Sequence, residues 1–315
     1  MDKLIDYHKA LQKYYFDLSQ RMSINNNKEI AYYVDKCLRK EINFLKEFEN
    51  KGFLKFDDFI DKSILINIKN KVEQFIDSQT NLNPVRKSDD GYVVPIDTNN
   101  VSVEYINDLN NIETKTPTIS IKDPLINIKE LIPLVFHESV ISKAAAYFNT
   151  LPMVTFVKVV KHFPNELQSS VNSWHFDGPP GSLGSPKTLK VIYYLDDIDT
   201  MEKGPFCYVE GSHIDRIEFS KRTFSDQEVT QYYNNDLIKP AYANLGDAVF
   251  VKGEIVHKAG KPSSHPRTVI IINYCIQEEY LDTPGNNFII DKVKIKKEDV
   301  DLIKFKELAD DLIKI

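Results

Sequence analysis

The spacing of apolar positions changes part-way along this chain. Leu4, Ile5, His8, Leu11, Tyr15 and Leu18 recur at three- and four-residue steps, and a second helical run covers about 28–50. A short apolar strand at Phe53–Phe56 follows. Next comes an amphipathic helix expected to carry Ile64, Ile66, Ile68, Val72 and Phe75 on one side. From 79 to 115 the chain is rich in Asn, Asp and Ser, which predicts a loop. "LIPLVFHESVISKAAAYFNT" (131–150) predicts another helix, ending at Asn149-Thr150.

After 150 the runs shorten and become β-branched and aromatic. "MVTFVKVVKHF" (153–163), "TLKVIYYL" (188–195), "PFCYV" (205–209), "DAVFV" (247–251) and "RTVIIINYCI" (267–276) are strand-length pieces, punctuated by GPPGSLGSP, EKGP, EGS, NLGD and GKPSSHP. Helices followed by a series of short strands predict an α+β fold with a mainly β core: an antiparallel barrel or sandwich under a helical layer. The last 25 residues, lysine-rich with Val300, Ile303, Phe305, Leu308 and Leu312, predict a closing amphipathic helix. We read 1–315 as a single domain: a mainly helical part (1–150) containing the 79–115 loop, a β core (151–280) and a C-terminal helical extension (281–315). The segment 214–240 interrupts the strands and is expected to roof the site.

Composition narrows the partners. With 40 basic and 46 acidic residues the net charge is −6, and no basic stripe is present to collect phosphates, which argues against nucleic acid. The three cysteines, Cys37, Cys207 and Cys275, form no CxxC pair. The N-terminus is charged throughout, and no run approaches the ~20 apolar residues of a membrane span. The expected setting is the cytoplasm, with a small molecule as partner. The two terminal amphipathic helices are free to pack on the core or on a second copy, so a homo-oligomer is open.

Chemistry concentrates in "SWHFDGPP" (173–180). His175 and Asp177 sit two apart, so in an extended chain they face the same way. A two-histidine, one-carboxylate set with open positions suits non-heme Fe(II), and His257 supplies the second histidine, near a strand end in an apolar setting. His8 and His137 read as helix-surface or cap residues, His162 as solvated at a strand end, His213 as a turn residue and His265 as a loop residue. Ten residues past His257, Arg267 heads the most apolar strand. An arginine facing a core needs an anion, and its guanidinium grips a carboxylate through two parallel hydrogen bonds. Each residue alone has an ordinary reading: a surface pair, a core histidine, half an ion pair. Together and in this order they point to a metal that chelates a 2-oxo acid, with Arg267 on the acid's far carboxylate.

From about residue 50 to 280 the chain resembles the phytanoyl-CoA dioxygenase (PhyH) family of Fe(II)/2-oxoglutarate oxygenases. The likeness runs through "GFLKFDDFID", "WHFDG", "YYLDDIDTMEKGPFCYVEGSH" and "LGDAVFVKGEIVHKAGKPSSHPR". It implies a double-stranded β-helix (jelly-roll, cupin-like barrel) with packed N-terminal helices. It also implies that His175, Asp177 and His257 are the iron ligands and that Arg267 binds the distal carboxylate of 2-oxoglutarate. Tyr193, Lys158 and Lys122 fall at positions that line or contact the cosubstrate. Lys203-Gly204 and Glu210-Gly211-Ser212-His213 stand where the family has Asn-Gly and Pro-Gly-Ser-His. Both departures lie in turns, so they bear on substrate contacts more than on iron. The implied activity is a dioxygenase using Fe(II), 2-oxoglutarate and O2, hydroxylating a polar or anionic metabolite with release of succinate and CO2. With Asp177 present, hydroxylation is favoured over halogenation. The alternative is a cupin-like metal-binding isomerase or binding protein without O2 chemistry.

Overall fold

A computed structural model describes residues 28–79, 96–97, 101–107, 114–164, 173–177, 188–215, 223–275 and 293–302. Its helices are α1 (Lys28–Lys40), α2 (Ile42–Lys51), α3 (Lys62–Asp77), α4 (Pro124–Asn127), α5 (Ile132–Val135), α6 (Glu138–Phe148) and α7 (Asp226–Tyr232). The strands from the first half are β1 (Phe53–Phe56), β2 (Ile96–Asp97), β3 (Val101–Asn107), β4 (Thr114–Ile121), β5 (Met153–His162) and β6 (Trp174–His175). Those that follow are β7 (Thr188–Tyr194), β8 (Phe206–Val209), β9 (Thr223–Phe224), β10 (Ile238–Ala241), β11 (Ala248–Lys252), β12 (His257–Ala259) and β13 (Arg267–Cys275). They form an eight-stranded sheet, β1-β11-β7-β13-β5-β4-β3-β2, and a five-stranded sheet, β10-β8-β12-β6-β9. From β5 to β8, and again from β10 to β13, each strand crosses to the other sheet. The two ligand-bearing strands, β6 and β12, thereby become neighbours in the small sheet although 82 positions separate His175 from His257.

The central strands read as largely apolar runs because most of both faces of the large sheet is covered. Leu189, Val191, Tyr193, Ile270, Ile272 and Tyr274 pack with Phe44, Phe48, Leu65 and Ile68 of the helices. Their strand neighbours Ile192, Tyr194 and Val269 pack with Phe206 and Tyr208 of the small sheet. A third cluster, with Trp174, Phe176, Val256, Phe224 and Val229, covers the outer face of the small sheet beneath α7. The described part of 214–240 therefore packs behind the ligand-bearing strands, where a roof was expected.

The helical layer is anchored by Glu41, which is buried between α1 and α2 and accepts from Ser142 Oγ and Lys143 Nζ of α6, both at 2.9 Å. α2 ends at Gly52, whose φ of 71° is left-handed; a Cβ there would lie 2.6 Å from His213 Nδ1. The apolar face of α3 is Leu65, Ile68, Val72 and Ile76. The expected Ile64 and Ile66 are 46% and 48% exposed: Ile66, two from Ile68, falls on another face, and Ile64 stands in the helix's first turn.

The 79–115 stretch departs from the expected loop. β2 and β3 lie within it and β4 begins in it, extending the large sheet antiparallel beyond β5. "VSVEYIN" alternates with the period of a strand, but its Asn-, Asp- and Ser-rich flanks obscured it. Of the C-terminal extension, the structure describes a 3₁₀ turn at Lys297–Leu302 and a bond from Val293 N–H to Val154 C=O. The helices expected over 1–27 and beyond 302 lie outside the described residues. Among the described residues no helix is long and apolar enough to cross a membrane.

Candidate metal centre

His175 and His257 are directly opposite each other across β6 and β12, with ring centroids 4.4 Å apart. Asp177 follows two positions later, where its N–H bonds Gly253 C=O at 3.0 Å as the chain leaves the sheet. One ligand atom from each of His175, Asp177 and His257 lies within 4.8 Å of the others. Phe176, between the first two, points the other way into the cluster under α7.

The hydrogen bonds set the tautomers. His175 Nδ1 lies 2.8 Å from Ser173 C=O and His257 Nδ1 lies 2.8 Å from Ile255 C=O. A carbonyl only accepts, so each Nδ1 carries a proton, which leaves Nε2 as the nitrogen that can ligate a metal. Phe206 stacks on the His257 ring at 5.1 Å and 27°, fixing its plane.

Asp177 is shaped by three neighbours. A Cβ on Gly253 would collide with Thr188 Oγ1 and lie 3.1 Å from Asp177 Oδ2, so the absent side chain makes room for the carboxylate. Lys190 Nζ approaches Oδ2 to 2.5 Å. The two form an ion pair largely shielded from solvent. Burial alone would raise the Asp177 pKa; Lys190, His257 and His175 outweigh it and bring it to about 2. Burial, helped by His175 and Lys190 against Asp177, brings His257 down to about 3. At neutral pH the centre thus holds a carboxylate and a neutral His257, the states metal ligands require. A carboxylate beside two imidazoles whose Nδ1 atoms are held by backbone carbonyls fits a divalent iron with open positions.

Arg267 is buried at the start of β13, on the face that Val269 turns to the small sheet. Its Nε has no partner, and it forms no ion pair among the described residues. The charge of Arg267 acts on Tyr194, whose hydroxyl oxygen accepts from Phe206 N–H at 2.9 Å, and Phe206 stacks on His257.

The other expected residues divide. Tyr193 packs with the helices, and its neighbour Tyr194 occupies the inter-sheet side; one step along a strand exchanges faces. Lys158 alternates with Val160 on the inter-sheet face, exposed, with Nζ 5.0 Å over the Phe156 ring. Lys122 follows β4, half-buried, its carbonyl accepting from Asn127 Nδ2 at 2.7 Å. Sequence reasoning missed Lys190, although a lone lysine in "TLKVIYYL" in phase with Ile192 and Tyr194 was a visible signal. It also set His162 aside as solvated, whereas β5 places it opposite Arg267.

Several solved structures are similar to this chain. The epimerase SnoN from nogalamycin biosynthesis, solved in one case with Fe3+ and alpha ketoglutarate, matches with a TM-score of 0.52 at 13% identity, over 82% of this chain and 95% of that one. AviO1 from Streptomyces viridochromogenes matches with a TM-score of 0.49 at 18% identity, over 79% of this chain and 97% of that one. HygX from Streptomyces hygroscopicus, with nickel and 2-oxoglutarate bound, matches with a TM-score of 0.49 at 13% identity, over 82% and 98%. No curated protein sequence matches the chain. The model of the phytanoyl-CoA dioxygenase (PhyH) family matches residues 48–269, a span that includes His175, Asp177, His257 and Arg267, and the chain belongs to that family.

Proposed function

We propose that this protein is an Fe(II)- and 2-oxoglutarate-dependent dioxygenase that hydroxylates an unactivated C–H bond of a small polar or anionic metabolite, releasing succinate and CO2. The observation that carries it is the meeting of His175, Asp177 and His257 on one face with both Nε2 lone pairs directed away from the backbone. In this reading the crossing strands form the family's double-stranded β-helix, and His175, Asp177 and His257 hold the iron. Arg267 takes the distal carboxylate of 2-oxoglutarate, with Lys158 and Lys122 towards the cosubstrate. Bound iron and 2-oxoglutarate supply, with O2, an oxidant able to break such a C–H bond. The chain's own part is orientation and dryness. Lys190 steadies the second oxygen of Asp177, Phe206 holds the His257 plane, and the apolar inter-sheet core excludes water.

Anaerobic titration with Fe(II) and 2-oxoglutarate should give a weak visible charge-transfer band. A band of equal strength in His257→Ala, or none in the wild type, would sink the assignment. Incubation with metabolite extracts should yield a product 16 mass units heavier only when 2-oxoglutarate is present. An unchanged mass with inverted stereochemistry would instead place the site with epimerases, the activity named for SnoN.

A further inference from the structure

The inter-sheet end around Arg267 holds a second polar side chain. β13 pairs with β5 so that Arg267 faces His162, and β5 pairs with β4 so that His162 faces Thr118. Alternation puts His162 on the inter-sheet face of β5 with Val160, and Arg267 on that of β13 with Val269. Thr118 Oγ1 lies 3.5 Å from His162 Nδ1.

The position across from a buried arginine is where a counter-ion would ordinarily sit, since an uncompensated buried charge is costly. Here that position carries an imidazole. By surface area His162 is only partly buried, yet it is enclosed enough that burial, aided by the charge of Arg267, holds its pKa near 3 and its ring neutral. The other groups acting on Arg267 are Tyr194 and Cys207. Burial pushes both of their pKa values up, so neither supplies an anion at neutral pH. The positive charge of Arg267 is left for a ligand. In the tautomer in which the Thr118 hydroxyl donates to Nδ1, the His162 proton resides on Nε2 and gives a second donor beside the guanidinium.

We infer that His162 is a specificity-determining residue for the cosubstrate: it donates Nε2–H to the distal carboxylate of the 2-oxo acid and, in place of an acidic residue, leaves Arg267 free to bind that carboxylate. The inference rests on the proposed 2-oxoglutarate-dependent reading of the site. A hydrogen bond to a charged group is worth roughly 10- to 100-fold in affinity.

The test is calorimetric titration of the Mn(II)-loaded, full-length protein with 2-oxoglutarate and with 2-oxobutyrate, which keeps the chelating end and lacks the distal carboxylate. Wild type should bind 2-oxoglutarate far more tightly. His162→Leu should lose about 10- to 100-fold for 2-oxoglutarate and nothing for 2-oxobutyrate, and His162→Gln, which keeps an N–H donor, should recover most of the loss. His162→Glu should pair internally with Arg267, raise the melting temperature of the ligand-free protein and abolish the preference. Wild-type discrimination in either His162→Leu or His162→Glu would overturn the inference. If His162→Leu does not fold, the glutamate variant decides alone. A wild type that binds 2-oxobutyrate as well as 2-oxoglutarate would instead overturn the reading of the Arg267 end itself.

Discussion

Replacing Lys190 with methionine keeps the aliphatic stem and removes the charge lying 2.5 Å from Asp177 Oδ2. Partners that orient a metal ligand commonly contribute 10- to 100-fold in metal affinity. Lys190→Met should therefore weaken Fe(II) or Mn(II) binding by roughly that factor in a direct titration, with Lys190→Arg intermediate. Unchanged or tighter binding would show that the ammonium competes with the metal. Gly253→Ala drives a methyl into Thr188 Oγ1 beside the same carboxylate; overpacking of this kind costs about 1–3 kcal/mol, readable as a lower urea midpoint together with poorer metal binding. The histidines also set an acid limit. In the unfolded chain each titrates near ~6.5, but His162 and His257 take up protons only near 3 when folded. Between those values the unfolded chain binds more protons, so stability falls as pH falls. For the metal-free protein the loss from pH 7 to 5 is on the order of 2 kcal/mol per histidine, and His162→Gln should remove about half of it. Asp177, lowered to about 2, stabilises above its unfolded pKa and loses that contribution only below about pH 4, outside this window. Of these residues, His175, Asp177, His257 and Arg267 were legible because chemistry restricts which side chains serve those roles. Lys190 left a signal, a lone lysine in an apolar strand, but its partner and that of His162 depend on which strands pair, which the sequence does not display.

At the scale of elements, strands were easier to read than the faces they present. The long central strands stand within a residue or two of their expected bounds because both sides are largely buried and the runs are mostly apolar. That same double burial hides the alternation, which is why Tyr193 was expected where Tyr194 lies. In α3 three isoleucines two residues apart drew the eye to a face that the helical period assigns to Leu65, Ile68, Val72 and Ile76. β2 to β4 were missed because they extend the sheet outward from β5, where polar residues are tolerated. One element-scale expectation follows from the helical anchor. Glu41→Ala would leave the Lys143 ammonium without its carboxylate in a largely buried place. The loss should be about 3 kcal/mol of stability, with Fe(II) affinity in the folded protein unchanged. A matching drop in metal affinity would mean that the helical layer and the ligand-bearing strands are coupled.

Across the whole molecule the work is divided between the sheets. The large sheet, sealed on one side by helices, is the frame that holds Arg267 and Lys190. The small sheet contributes both histidines on β6 and β12, strands of two and three residues that meet through a single paired position. An ion held by both imidazoles would therefore act as a rivet across that short seam, and its binding energy would appear as resistance to local opening. Loss of iron should then show first in hydrogen exchange, as faster exchange at Trp174–Asp177 and His257–Ala259, while the β7–β13–β5 amides stay protected. Such an enzyme would carry its own wear indicator: a copy that has lost its metal would loosen at the small sheet and become open to proteolysis there before the frame gives way.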